Sequence, residues 1–176
     1  MILKDKDLII RAIDEKDAEG LLEMINDKDV EDFVVGWSLP VSMKEQLQWI
    51  SNVKNDSKNI RLTVAKGEEM IGFVSITNLD FKNRTANLNV KIRGFARGQG
   101  YATRALKMLI KYGFEELNLN CLTAGVLEDN IASNKLFEGL GFVKEGILRA
   151  RVFKRNRYIN LVSYSYLREE YNERNW

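Results

Sequence analysis

Residues 87–113 hold the pattern that most constrains how this chain can fold. An apolar alternation with a period of two passes, across a loop bearing Gly94, Gly98 and Gly100, into a helical period. Leu88, Val90 and Ile92 alternate with Asn87, Asn89 and Lys91, as in a strand with one buried face. Ala102, Ala105, Leu106, Leu109, Ile110 and Gly113 fall on one side of a helix. A strand, a glycine loop and an amphipathic helix in that order make a cradle for an anion. Glycines let successive N–H groups turn inward and let a phosphate approach the main chain, and the helix start adds about half a positive charge. Between residues 91 and 114 lie six bases (Lys91, Arg93, Arg97, Arg104, Lys107, Lys111) and no acid. Of these, Arg97, Arg104 and Lys107 are placed to neutralise phosphate charge.

The flanking segments supply the rest of a mixed architecture. Leu8 to Ile13 reads as a strand, and Asp14 precedes a helix with Ala18, Leu21, Leu22 and Ile25 at core spacing. The chain turns at Pro40, and Ser42 with Glu45 forms a capping box for a helix running to about Val53. Arg61–Ala65 and Met70–Leu79 read as strands about a Lys66-Gly67 turn, with a second turn from Asp80 to Arg84. Cys121–Leu127 is a short buried strand, Asn130 an N-cap for a helix from Ile131 to Gly139, and Phe142–Arg155 with Tyr158–Tyr166 a closing antiparallel pair joined at Asn156. The order β-α-α-β-β-β-α-β-α-β-β predicts an α/β (α+β) fold, a mixed and mostly antiparallel sheet with helices on both faces. Without linker, repeat or low-complexity tract, residues 1–176 are expected to form a single domain, its core about 8–167, with a short tail over 168–176.

Composition excludes several chemistries. With no His, a Ser-His-Asp or Cys-His set and a His-ligated zinc site are impossible, and one Cys rules out internal disulfides, so no metal is expected. A net charge of +2, with no stacking platform beside the five bases of residues 149–157, predicts no nucleic-acid partner. No apolar run of about 18 residues occurs, and Met1–Arg11 mixes charges with apolar residues, so no membrane association is expected and a cytoplasmic location is. A Walker A loop is absent, since no Gly-Lys-Ser/Thr triplet closes the glycines. A dinucleotide fingerprint fits in part: Gly98-Gln99-Gly100-Tyr101-Ala102-Thr103 carries two of three glycines, and Glu128 follows the next strand. Against it, 49 residues after Leu127 are too few for a second nucleotide-binding half, and hairpin-linked strands are wrong for a doubly wound sheet. Dinucleotide binding stays the lesser alternative.

Arg97-Gly98-Gln99-Gly100-Tyr101-Ala102 resembles the (Arg/Gln)-x-x-Gly-x-(Gly/Ala) signature of the GNAT acetyltransferase superfamily. The likeness continues in Asn130-Ile131-Ala132-Ser133-Asn134-Lys135-Leu136-Phe137 through Gly141-Phe142, and the tail from Glu145-Gly146 to Tyr171 is similar to the RimJ/RimL-like branch. The resemblance implies an acetyl-CoA-dependent N-acetyltransferase in which an amine attacks the thioester directly. It implies that Val90, Lys91 and Ile92 bind the pantetheine arm through their backbone. The pyrophosphate falls to the amides of Arg97, Gly98, Gln99, Gly100, Tyr101 and Ala102, and Asn130 also reaches the pantetheine. Phe137 stands where many members place a Tyr that protonates the departing sulfur, and is read as packing against Leu140 and Phe142. The catalytic groups are therefore unknown, with Ser133 and Tyr101 as candidate hydroxyls and Glu31 as a candidate carboxylate. The acceptor is an amine-bearing small molecule (an aminosugar, a polyamine) or a protein N-terminus. Asp32 and Trp37 are its candidate contacts, in an acidic connection that would attract a cationic amine. Polyamine-acetylating relatives carry carboxylates just before the equivalent of Pro40, where this chain has Trp37-Ser38-Leu39. The alternative is an acyl-CoA-binding sensor without turnover. A homodimer is a further expectation drawn from similar proteins.

Overall fold

Tight turns decide most of the topology. Lys6, Gly67 and Arg84 take positive φ between successive strands, and Arg155 with Asn156 forms a turn with both central residues left-handed, the geometry that matches strand twist. A computed structural model describes residues 3–36, 39–53 and 55–173. Its strands are β1 (Leu3–Asp5), β2 (Leu8–Ala12), β3 (Ile60–Lys66), β4 (Glu69–Asp80), β5 (Thr85–Ile92), β6 (Cys121–Leu127), β7 (Val143–Lys154) and β8 (Arg157–Leu167). Its helices are α1 (Ala18–Asn26), α2 (Lys28–Phe33), α3 (Met43–Asn52), α4 (Tyr101–Lys111), α5 (Ile131–Leu140) and α6 (Arg168–Glu173). The strands form one sheet in the order β1-β2-β3-β4-β5-β6-β8-β7. Among the described residues only β5 and β6 run parallel, because only they are joined by a crossover through α4.

The expected mixed fold is observed, and the dinucleotide alternative falls with it: a sheet with a single parallel pair among the described residues offers no doubly wound half. On one face α4 buries Ala105, Leu106, Leu109 and Ile110 against Leu8, Ile10, Val64, Val74 and Leu88. On the other, Ala18, Leu21, Met24 and Ile50 from α1 and α3 pack on Met70 and Phe73. The capping box on α3 forms as expected, Glu45 N–H donating to Ser42 Oγ and Ser42 N–H to Glu45 Oε2.

Three elements depart from the sequence reading. β1 is too short to show a pattern and is held by the Arg104 guanidinium, which donates to Asp5 and to Asp7. α2, rich in acids, gives no apolar period and is capped by Asp27, which accepts from Asp29 N–H at 2.8 Å. α6 occupies the segment read as a tail and is tied down by Arg168, whose Nε donates to Leu119 O at 2.9 Å.

Candidate active site between two diverging strands

β5 and β6 part company halfway along. Their ladder holds Thr85, Ala86 and Asn87 against Cys121, Leu122 and Thr123, where the Thr123 hydroxyl also donates to Ala86 O at 3.2 Å. Beyond that point the facing edges have no partner among the described residues, although β5 stays paired with β4 to Ile92 and β6 with β8 to Leu127. The tips belong to different apolar clusters, Ile92 with the α4 core and Leu127 with Val152 and Ile159. The result is a wedge whose near edge is the backbone of Val90, Lys91 and Ile92, ready to pair with an extended ligand.

The glycine loop closes the open end of that wedge. Gly98 and Gly100 have φ of +74° and +78°, and a Cβ at either would meet nothing within 4 Å, so the approach to the main chain is clear. Among the described residues the amides from Gly98 to Thr103 have no hydrogen-bond partner, as expected at the start of α4. The side chains of the loop serve its shape. Arg97 Nε donates to Ile92 O at 3.0 Å and its guanidinium lies 3.7 Å from Asp27, while Gln99 Nε2 donates to Phe95 O at 3.0 Å. Arg104 is not available to a phosphate, since Asp5 and Asp7 hold it; this corrects the expectation for that base. Backbone amides, open space and a free strand edge are what a coenzyme A pyrophosphate and pantetheine require, so the residues present fit that group.

The far side of the wedge is built by α5. Asn130 caps it, accepting from Ser133 N–H at 3.1 Å, and donates from Nδ2 to Phe33 O at 3.1 Å. Asn134 donates to the carbonyls of Leu127 and Asn130 and accepts from the Tyr164 hydroxyl at 2.8 Å. Burial, followed by the Glu138 carboxylate, pushes the Tyr164 hydroxyl up to about 12. Phe137 is 4% exposed, edge-on to Phe142 at 5.1 Å and near-parallel to Tyr164 at 6.2 Å, the packing role read from the sequence. The Ser133 hydroxyl, half-buried in the first turn of α5, has no partner among the described residues.

Tyr101 and Glu31, the other candidates for catalysis, lie elsewhere in the web of contacts. The Tyr101 ring is buried in the α4 core with the Lys66 ammonium 5.6 Å from its centroid. The Glu31 carboxylate and carbonyl are both held by the buried Lys154 ammonium. Asp32 lies 3.9 Å from Lys28, and Trp37 is outside the described residues. The acidic connection is thus largely neutralised by its own ion pairs.

A cavity of about 600 Å³ opens on the α1–α3 side of the sheet. Leu21, Met24, Leu39, Pro40, Trp49 and Phe73 make its walls, and the charged and amide groups on it are Lys91, Glu45 and Gln46. Lys91 shares this face with Phe73 because the two are directly paired across β4 and β5. Burial, then the nearby Lys154 charge, holds its ammonium below the usual lysine range. The sequence pointed to Lys91 for its backbone alone. Its side chain and that of Gln46 were missed, although a Gln at a core-facing position of α3 was the available signal.

Comparison with known proteins bears on the family and the fold. Residues 7–143 match the family model described as an acetyltransferase (GNAT) domain. The uncharacterized N-acetyltransferase p20 of Bacillus licheniformis is 29% identical over 93% of this chain and 94% of its own length. YdaF of Bacillus subtilis (strain 168), named as a candidate ribosomal N-acetyltransferase, is 30% identical over 93% of each chain. Among solved structures, spermidine N-acetyltransferase from Vibrio cholerae, in complex with CoA and spermine, superposes with a TM-score of 0.88 over 96% of this chain and 100% of that one, at 23% identity.

Proposed function

The chain belongs to the GNAT acetyltransferase family and is an acetyl-CoA-dependent N-acetyltransferase, and we propose that it works by direct attack of an amine held in the α1–α3 cavity. Acetyl-CoA supplies the activated acyl group. The amides of Gly98 to Thr103, with the loop shaped by Arg97 and Gln99, hold the pyrophosphate. The free edge of Val90, Lys91 and Ile92 holds the pantetheine and orients the thioester. Asn130 acts as a positioning residue: its side chain ties the start of α5 to the end of α2. Ser133 is assigned as the proton donor to the departing thiolate, because its hydroxyl is unengaged at the start of α5.

Direct attack is favoured over a covalent acyl-enzyme. The one Cys, Cys121, stands at the closed end of the wedge, and burial followed by the Glu145 charge pushes its thiol up, away from the nucleophilic thiolate. The tail motifs and the similarity to YdaF support a place in the RimJ/RimL-like branch. Self-association as a homodimer is supported by the exposed aromatic pair on the β7–β8 hairpin, where Phe153 is 58% and Tyr158 69% exposed.

The observation that carries this reading is the wedge opening directly beside a loop of unmet amides. Thermal melting with acetyl-CoA, coenzyme A, NADH and ATP side by side tests it. A ligand at about 100 times its Kd adds ~2.7 kcal/mol, a rise of about 5–10 °C in a chain of this size. Shifts with acetyl-CoA and coenzyme A alone are the expected result; a shift with NADH alone overturns the assignment of the loop.

A further inference from the structure

We propose that the acceptor is an apolar amino carboxylate, an amine with an aliphatic or aromatic side chain whose carboxylate is held by Lys91 and Gln46. The proposal rests on the acetyltransferase reading above and narrows its acceptor. Three observations carry it. The Gln46 side chain is 5% exposed, lines the cavity and has no hydrogen-bond partner among the described residues. The Lys91 ammonium lines the same cavity, likewise without a hydrogen-bond partner or ion pair there. An amide N–H from α3 and an ammonium from β5, both left unmatched in one cavity, call for an acceptor of two hydrogen bonds, and a carboxylate is the group that satisfies both while neutralising the charge. The third observation is the rest of the lining, which is aliphatic and aromatic, around a volume of about 600 Å³ that admits side chains as large as that of tryptophan.

Polyamines fit this cavity poorly. The one carboxylate on its walls among the described residues is Glu45, whose Oε2 accepts from the N–H and hydroxyl of Ser42, so the walls offer a single acid where a polyamine brings several ammonium groups. Lys91 also faces the Lys154 charge, which adds positive potential to that side. Its main chain belongs to the wedge edge while its side chain reaches the cavity. A carboxylate bound there is therefore tied to the same residue whose main chain is assigned to orient the thioester.

The test compares matched pairs that differ only by the carboxylate: tryptophan against tryptamine, phenylalanine against phenethylamine, and leucine against isopentylamine, with spermidine alongside. Acetyl-CoA turnover is followed by thiol release. The amino carboxylates are expected to exceed their decarboxylated partners by at least about tenfold in kcat/KM, through KM. Lys91→Glu inverts that ratio, Lys91→Arg keeps it, and Gln46→Leu lowers it. Coenzyme A melting shifts on each variant confirm that it is folded and binds its cosubstrate. Decarboxylated amines or spermidine as the better acceptors, an unchanged ratio in Lys91→Glu, or no turnover of any amino carboxylate overturns the proposal. If acetyl-CoA itself produces no melting shift, the acetyltransferase reading fails as well, and the two failures are distinguished.

Discussion

Asp17 shows how one residue can join three elements. It is 1% exposed, and its carboxylate accepts from Arg11 on β2 through two bonds of 2.8 Å, from Thr63 on β3 at 2.9 Å and from the amide of Asp14. Burial alone would raise its titration, but the Arg11, Asp14 and Thr63 contacts outweigh it and hold the carboxyl below its ordinary range. The stability it contributes is therefore complete above the unfolded value of about 3.9 and lost as pH falls through the lower folded value. Asp17→Asn should cost ~3 kcal/mol at neutral pH, by leaving Arg11 unpaired, and the gap from the parent should narrow below about pH 4 in urea titrations. A gap independent of pH would show that the ionised carboxylate is not what matters. Phe137, also a buried residue, bears on catalysis instead. Phe137→Tyr should leave the coenzyme A melting shift intact and, by adding a stronger acid than the Ser133 hydroxyl, raise turnover with an altered pH–rate profile; an unchanged profile would mean that protonation of the thiolate does not limit the rate.

At the scale of elements, the loop before α4 and the divergence of β5 from β6 act together. The loop was legible because glycine is the residue for which φ near +75° carries no Cβ penalty, so Gly98 and Gly100 ahead of a helical period mark left-handed backbone. Gly100→Ala should cost ~1–2 kcal/mol from that backbone strain, with no steric clash to add, because the space around the missing Cβ is empty. Gly100→Glu should in addition abolish the melting shift with acetyl-CoA, since a carboxylate would stand where phosphate binds. A normal shift in that variant would remove the loop from the binding site. The divergence of the strands was not legible. Leu88 to Ile92 and Ala124 to Leu127 carry ordinary strand patterns, and nothing local says that their facing edges stay unpaired. Nor was α2, whose six residues hold three acids and whose position depends on the contact of Lys154 with Glu31.

For the whole molecule, two predictions concern what the chain does not need and what it leaves uncovered. Cys121→Ser should keep full acetyl transfer, because an amine attacking the thioester requires no thiol relay; loss of turnover, with coenzyme A binding retained, would favour an acyl-cysteine. Sedimentation should find a dimer that Phe153→Lys weakens, if the exposed hairpin of β7 and β8 is the self-contact; a parent monomer would leave that aromatic pair to another role. Among the described residues no helix is long and apolar enough to cross a membrane. The main strands and helices, the capping box of α3, the glycine loop and the packing role of Phe137 were set by local patterns: periodicity, turn chemistry and the steric freedom of glycine act within a few residues and are written in the chain itself. The wedge, the engagement of Arg104 by β1, the neutralised acids of α2 and the meeting of Lys91 and Gln46 in one cavity lining were decided only by tertiary structure. Each joins residues far apart in the sequence, and whether a charge or an amide finds a partner depends on which distant segment packs against it.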